Sequence, residues 1–182
     1  MDITQQDYDL LIEEIVKEFP KFKIEKKSNS KFMKNIDKLL KIITFGQMNS
    51  FMDKFITTIG NTIYVSSNWD TYSLKTKMGL LRHEKVHMRQ EKRLGFLYKI
   101  IYLFLPLPFL FAYGRLKLEQ EAYKETLKAG YEYVGEGYLI HPAIKIMIIE
   151  MLTGPSYFWT WYSVGDVEKW FNKTVKEIKG EV

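Results

Sequence analysis

Ser73-Leu74-Lys75-Thr76-Lys77-Met78-Gly79-Leu80-Leu81-Arg82-His83-Glu84-Lys85-Val86-His87 is the stretch on which the reading of this chain turns. Its pattern predicts a long helix starting near Ser73 and running past His87, after a loop at Asn68-Trp69-Asp70-Thr71. On such a helix His83 and His87 stand on one face, with Cβ atoms about 6 Å apart. Two imidazoles so placed can hold one Zn²⁺ at ~2.1 Å each. Glu84 projects about 100° around the helix. From there it reaches a metal-bound water without being a ligand. The ion lowers the pKa of that water and the carboxylate takes its proton, which is the working unit of metal-assisted hydrolysis. The bland alternative is a histidine pair beside a carboxylate with no ion. Against it, two of the three histidines in the chain make this pattern.

A catalytic zinc needs a third protein ligand. The chain has no cysteine, so that ligand is a histidine or a carboxylate, and disulfides and thiol nucleophiles are excluded. The extended metzincin pattern would need Gly at position 90 and His at position 93, where this chain has Gln90 and Arg93. A carboxylate from a downstream helix remains. In Glu119-Gln120-Glu121-Ala122-Tyr123, helical geometry puts Glu119 on the stripe of Ala112, Leu116, Ala122, Tyr123 and Thr126. Glu121 falls among Lys117, Lys124, Glu125 and Lys128, a solvated face. A carboxylate on the apolar stripe is costly unless paired, and zinc is a suitable partner. Pairing with Arg82 or another buried donor is the competing reading. Glu119 is the preferred third ligand, with Glu121 kept as the alternative.

The chain has 182 residues, 46% hydrophobic, 27% charged and 15% aromatic, with a net charge of +5. That suits one globular domain with its own core. The basic excess is mostly lysine, and only Arg82, Arg89, Arg93 and Arg115 are arginine. Arginine is the residue favoured for bidentate phosphate and base contacts. The lysines therefore read as a solvated surface, and nucleic acid is not an expected partner. No basic segment followed by an apolar run opens the chain, so the expected location is cytoplasmic.

Outward from the decisive helix, Thr4 reads as the cap of a first helix carrying Leu11, Ile12, Ile15, Val16 and Phe19, ended by Pro20. Segment 21–41 is lysine-rich, and its second half, with Phe32, Ile36, Leu39, Leu40 and Ile43, predicts an amphipathic helix. Ile42–Phe45, Phe55–Ile59 and Thr62–Ser66 are β-prone, with a turn at Gly60-Asn61, and predict a small antiparallel sheet. Residues 100–113 are continuously apolar, broken by Pro106 and Pro108. At 14 residues they are short of the ~20 a membrane span needs. A covered hydrophobic segment is the first reading, and membrane association through residues 94–113 is the second. Helices are expected over about 114–129, stopped by Gly130, and around 143–152 and 164–178. The expected fold class is α+β: one domain over 1–182 with its core at about 42–130, a helical segment 1–41 and a helical C-terminal half 131–182.

An HExxH helix followed by a glutamate in a Glu-x-x-Ala setting on a later helix resembles the gluzincin clan of zinc metallopeptidases. The small size, and the His-Glu-x-x-His-x-x-Gln run matched from His83 to Gln90, resemble the minigluzincins and similar small phage and bacterial proteins. The resemblance covers about residues 60–130. It implies a peptidase acting on a peptide or protein substrate, with His83, His87 and Glu119 holding Zn²⁺ and Glu84 as the general base. It also implies a strand that aligns substrate, here Thr62–Ser66. Many gluzincins carry Asp or Asn four residues after the glutamate ligand. This chain has Tyr123 there, whereas Glu121 is followed at that distance by Glu125. Two other classes stay open: a binding protein that uses zinc as a structural clip, and a membrane-associated factor led by residues 94–113. His141, Tyr138, Tyr131 and Tyr157 are all candidates for an oxyanion donor, with no role assigned to any of them.

Overall fold

The computed structural model of the chain describes residues 2–43, 46, 50–103, 111–154 and 162–181. The class is α+β, mostly helical with one small three-stranded sheet. Two compact units are present, one spanning Ile3–Met88 and one centred on Arg89–Val182.

In the first unit, α1 (Gln5–Glu18) opens on a reciprocal cap. The Thr4 hydroxyl accepts from the Asp7 backbone N–H, and the Asp7 carboxylate accepts from the Thr4 N–H. Two donors that the helix start would leave unmet are satisfied in this way. Leu11, Ile15 and Phe19 are buried, and the helix stops before Pro20. β1 (Lys23–Lys26), α2 (Lys31–Ile43), α3 (Phe51–Lys54), β2 (Thr57–Ile59) and β3 (Thr62–Val65) follow. A 3-10 turn over Ser67–Thr71 then leads into α4 (Leu74–Leu94). β2 and β3 form the expected hairpin, with Gly60 at φ +59 in the turn.

The sheet differs from expectation: it is mixed, and its third strand comes from a different segment. β1 pairs parallel with β3, Lys23 opposite Thr62 through Lys26 opposite Val65, giving the order β1-β3-β2. The strand Lys-Ile-Glu-Lys has one apolar residue in four, so it lacks the alternation that marks a half-buried strand. Ile42 and Ile43, placed at the head of a β-prone run, instead lie in the last turn of α2. Thr44 and Phe45 lie outside the described residues.

The second unit takes the end of α4, then α5 (Phe96–Leu103), α6 (Phe111–Val134), α7 (Glu136–Ile140), α8 (Pro142–Thr153) and α9 (Val164–Lys179). Its core joins Leu116, Tyr123 and Leu127 of α6 with Leu139 of α7, Ile148 and Leu152 of α8, and Val167 and Phe171 of α9. Gly130 does not stop α6. The helix runs on to Val134 and breaks at Gly135, where φ is +99. A Cβ on Gly130 would lie 2.1 Å from the Tyr138 ring, so this glycine is there for close packing. Of the apolar stretch, α5 covers the first part, with Tyr98 buried and Ile100 and Ile101 half-buried, while Phe96 and Leu97 are exposed. Its Pro-Leu-Pro segment lies outside the described residues. No helix among the described residues is long and apolar enough to cross a membrane.

Candidate metal centre

Helix α4 carries both histidines in one unbroken run of 21 residues. Its rotation about its own axis is set on the side of Lys85. This lysine is buried, and its ammonium pairs with Glu14 at 2.7 Å and Glu18 at 3.4 Å, both on α1. Met78 and Leu81 on the preceding turns are buried as well. His83 and His87 then come together as the i, i+4 spacing requires. Their ring centroids are 5.0 Å apart at an interplanar angle of 72°, and their Nε2 atoms are 3.2 Å apart. Both are buried, at 8% and 5% exposure.

One turn further along α4, the Gln90 amide donates to the Leu118 carbonyl and to Glu121 Oε2 on α6, each at 2.9 Å. Arg93 reaches the same carboxylate at 3.1 Å. Glu121 is thus held by Gln90 and Arg93. Of the lysines expected around it, Lys117 donates to Gln120 and Lys124 pairs with Glu177. Glu119 is 1% exposed. It offers a carboxylate oxygen that, with one ring nitrogen each from His83 and His87, makes a set of ligand atoms within 4.8 Å of one another. Tyr123, at the position where the resemblance expects Asp or Asn, packs into the core of the second unit.

This donor set suits zinc. Two imidazoles and a carboxylate make up a common three-protein-ligand zinc site, and two nitrogens at ~2.1 Å from a tetrahedral ion stand about 3.4 Å apart. The 3.2 Å between the two Nε2 atoms is close to that.

Glu84 is also buried, and the Thr58 hydroxyl donates to its Oε2 at 2.6 Å. Thr58 is the middle residue of β2. This contact relocates the strand of interest. The resemblance implies Thr62–Ser66 as the strand that aligns substrate, but β3, which covers Thr62–Val65 of it, is the central strand, with β1 on one side and β2 on the other. Both of its hydrogen-bonding edges are already used. The strand in contact with Glu84 is β2, which lies at an edge of the sheet.

One residue near this carboxylate escaped sequence reasoning. Lys27 belongs to the run read as solvated lysines, yet it is fully buried. Its ammonium donates to the Phe51 carbonyl at 2.8 Å and sits 3.6 Å above the Phe51 ring. Burial pushes its pKa down to about 7, while the carboxylates of Glu84, Asp37 and Asp53 oppose that shift. Nothing in composition or periodicity separates this lysine from its neighbours, because the 3-10 turn after β1 is what turns it inward.

No contact among the described residues brings His141, Tyr138 or Tyr131 to this centre. His141 is exposed and caps α8, its Nδ1 accepting from the Ala143 N–H at 3.2 Å. Tyr131 is exposed, and Tyr138 packs on Gly130, where burial raises its pKa. Tyr157 lies outside the described residues. The chain matches no family model, no curated protein and no solved structure.

Proposed function

We propose that the chain is a zinc-dependent hydrolase of the gluzincin type, acting on peptide bonds. The observation that carries this reading is the grouping of His83, His87 and Glu119, whose ligand atoms lie within 4.8 Å of one another. These three residues would hold the ion. Bound there, zinc supplies Lewis acidity to a water and to the carbonyl under attack. Glu84 neighbours His83 in sequence without belonging to the ligand set. Its carboxylate takes the proton from the attacking water and passes it to the leaving amine. Thr58 fixes the direction of that carboxylate with a hydrogen bond to Oε2. β2, as an edge strand, supports an extended peptide by strand addition, which supplies main-chain hydrogen bonds without demanding a sequence.

The low exposure of His83, His87 and Glu119 favours a second reading, zinc as a structural clip. Structural sites are normally closed by four protein ligands, and a clip has no use for a carboxylate at position 84. Glu84→Gln separates the two. The hydrolase keeps its zinc and loses about 10²–10⁴-fold in peptide hydrolysis, because an amide cannot accept the proton. Unchanged turnover in this variant, on any peptide that the unsubstituted protein cleaves, overturns the proposal.

A further inference from the structure

Helix α2 (Lys31–Ile43) has a wider apolar face than the core it covers. At 100° per residue, Ile42, Leu39, Phe32, Ile36, Leu40 and Met33 span half the helix circumference. Only one side of that arc is used internally: Met33 is fully buried, and Ile36 and Leu40 are half-buried. The other side faces out, with Phe32 54% exposed, Leu39 55% and Ile42 73%. The adjoining arc is cationic. Lys31, Lys34 and Lys38 are exposed, and no carboxylate among the described residues pairs with them. Lys41, beside them, is tied to Asp37 at 2.6 Å.

An exposed apolar stripe bordered by unpaired lysines is complementary to a surface that is apolar inside and anionic at its rim. We propose that α2 docks the protein on anionic lipid bilayers. Phe32, Leu39 and Ile42 would enter the acyl boundary and Lys31, Lys34 and Lys38 would meet the headgroups. Such a helix lies in the interface plane and does not cross it. Lysine stems suit this role, since they bury their methylenes and keep the ammonium at headgroup level. Phosphatidylserine-type headgroups add attraction lysine by lysine, and salt screens it. This inference is independent of the metal centre.

The test is sedimentation of the full-length protein with phosphatidylcholine vesicles, with and without phosphatidylserine. The expected result is binding that requires phosphatidylserine and falls as salt rises. Replacing Lys31, Lys34 and Lys38 together with glutamine should weaken it on the order of 100-fold. Leu39→Gln with Ile42→Gln should also release the protein, with a thermal melt showing that each variant folds. Because the chain has no cysteine, Asn35→Cys carrying an environment-sensitive dye, which falls between Ile42 and Leu39 around the helix, gives a second readout with all three anchors intact. Its emission should shift to the blue with anionic vesicles, while the same dye at Lys169→Cys, on an exposed turn of α9, should not shift. No binding to anionic vesicles, binding that neither α2 variant reduces, or capture of RNA or acidic peptide in place of vesicles would overturn the proposal.

Discussion

The Thr58 hydroxyl donates a 2.6 Å hydrogen bond to Glu84 Oε2, joining the middle of the edge strand β2 to the carboxylate proposed as general base. A hydrogen bond to a charged group contributes about 1.5–3 kcal/mol, enough to hold one rotamer against its alternatives.

Thr58→Val keeps the shape and removes the donor. Turnover is expected to fall about tenfold or more, with little change in KM and none in zinc content. Thr58→Ser should restore most of the loss. Steady-state kinetics beside metal analysis checks this, and equal turnover in the valine and threonine proteins would remove Thr58 from the catalytic arrangement.

Lys27 makes stability depend on pH in an unusual direction. Its folded pKa of about 7 lies below the ordinary lysine value of 10.5. Between those values the unfolded chain binds the extra proton, so stability rises with pH across that window. The burial cost is fully felt below pH 7. The gain is at most about 1.4 kcal/mol per pH unit for one group. Denaturant melts at several pH values should show this slope in the native sequence and a flatter one in Lys27→Met. Parallel slopes for the two proteins would mean that Lys27 keeps its proton in the fold.

Gly130→Ala would put a methyl group into the Tyr138 ring. Overpacking of this kind costs about 1–3 kcal/mol, so the melting temperature should drop. Adding Tyr138→Ala should recover part of it. A melting temperature unchanged by Gly130→Ala would show that α6 and α7 have room to separate.

Legibility in the sequence followed physical periodicity. α1, α4, α8 and α9 announce themselves through caps and apolar spacing, and the β2–β3 hairpin through Gly60-Asn61 between β-branched runs. Glu119 was separable from Glu121 because 100° per residue assigns them to different faces, and burial differs accordingly. β1 was hidden because its pairing with β3 is parallel and long-range, leaving no mark on Lys-Ile-Glu-Lys. Gly130 misled because helical stop glycines and close-packing glycines look alike in one dimension. Their difference lies in Tyr138, which arrives from the next helix. The contacts of Thr58 and Lys27 could not be read at all, since each depends on a tertiary partner remote in sequence.

The two glutamates of α6 should behave differently when neutralised. Glu121→Gln removes a partially exposed pair with Arg93, worth about 0–1 kcal/mol, and should leave zinc affinity nearly unchanged. Glu119→Gln removes an anionic ligand and should weaken zinc by more than ~100-fold, beyond what outer contacts contribute. Competition against a chromophoric chelator measures both. The reverse order would move the third ligand to Glu121.

Everything proposed about catalysis depends on a metal at His83 and His87, whose Nε2 atoms stand 3.2 Å apart. Equilibrium dialysis against zinc, comparing the unsubstituted protein with His83→Ala/His87→Ala, addresses that point directly. The expected result is about one zinc per chain for the former and none for the latter, with both proteins folded. Full zinc stoichiometry in the double variant would contradict it.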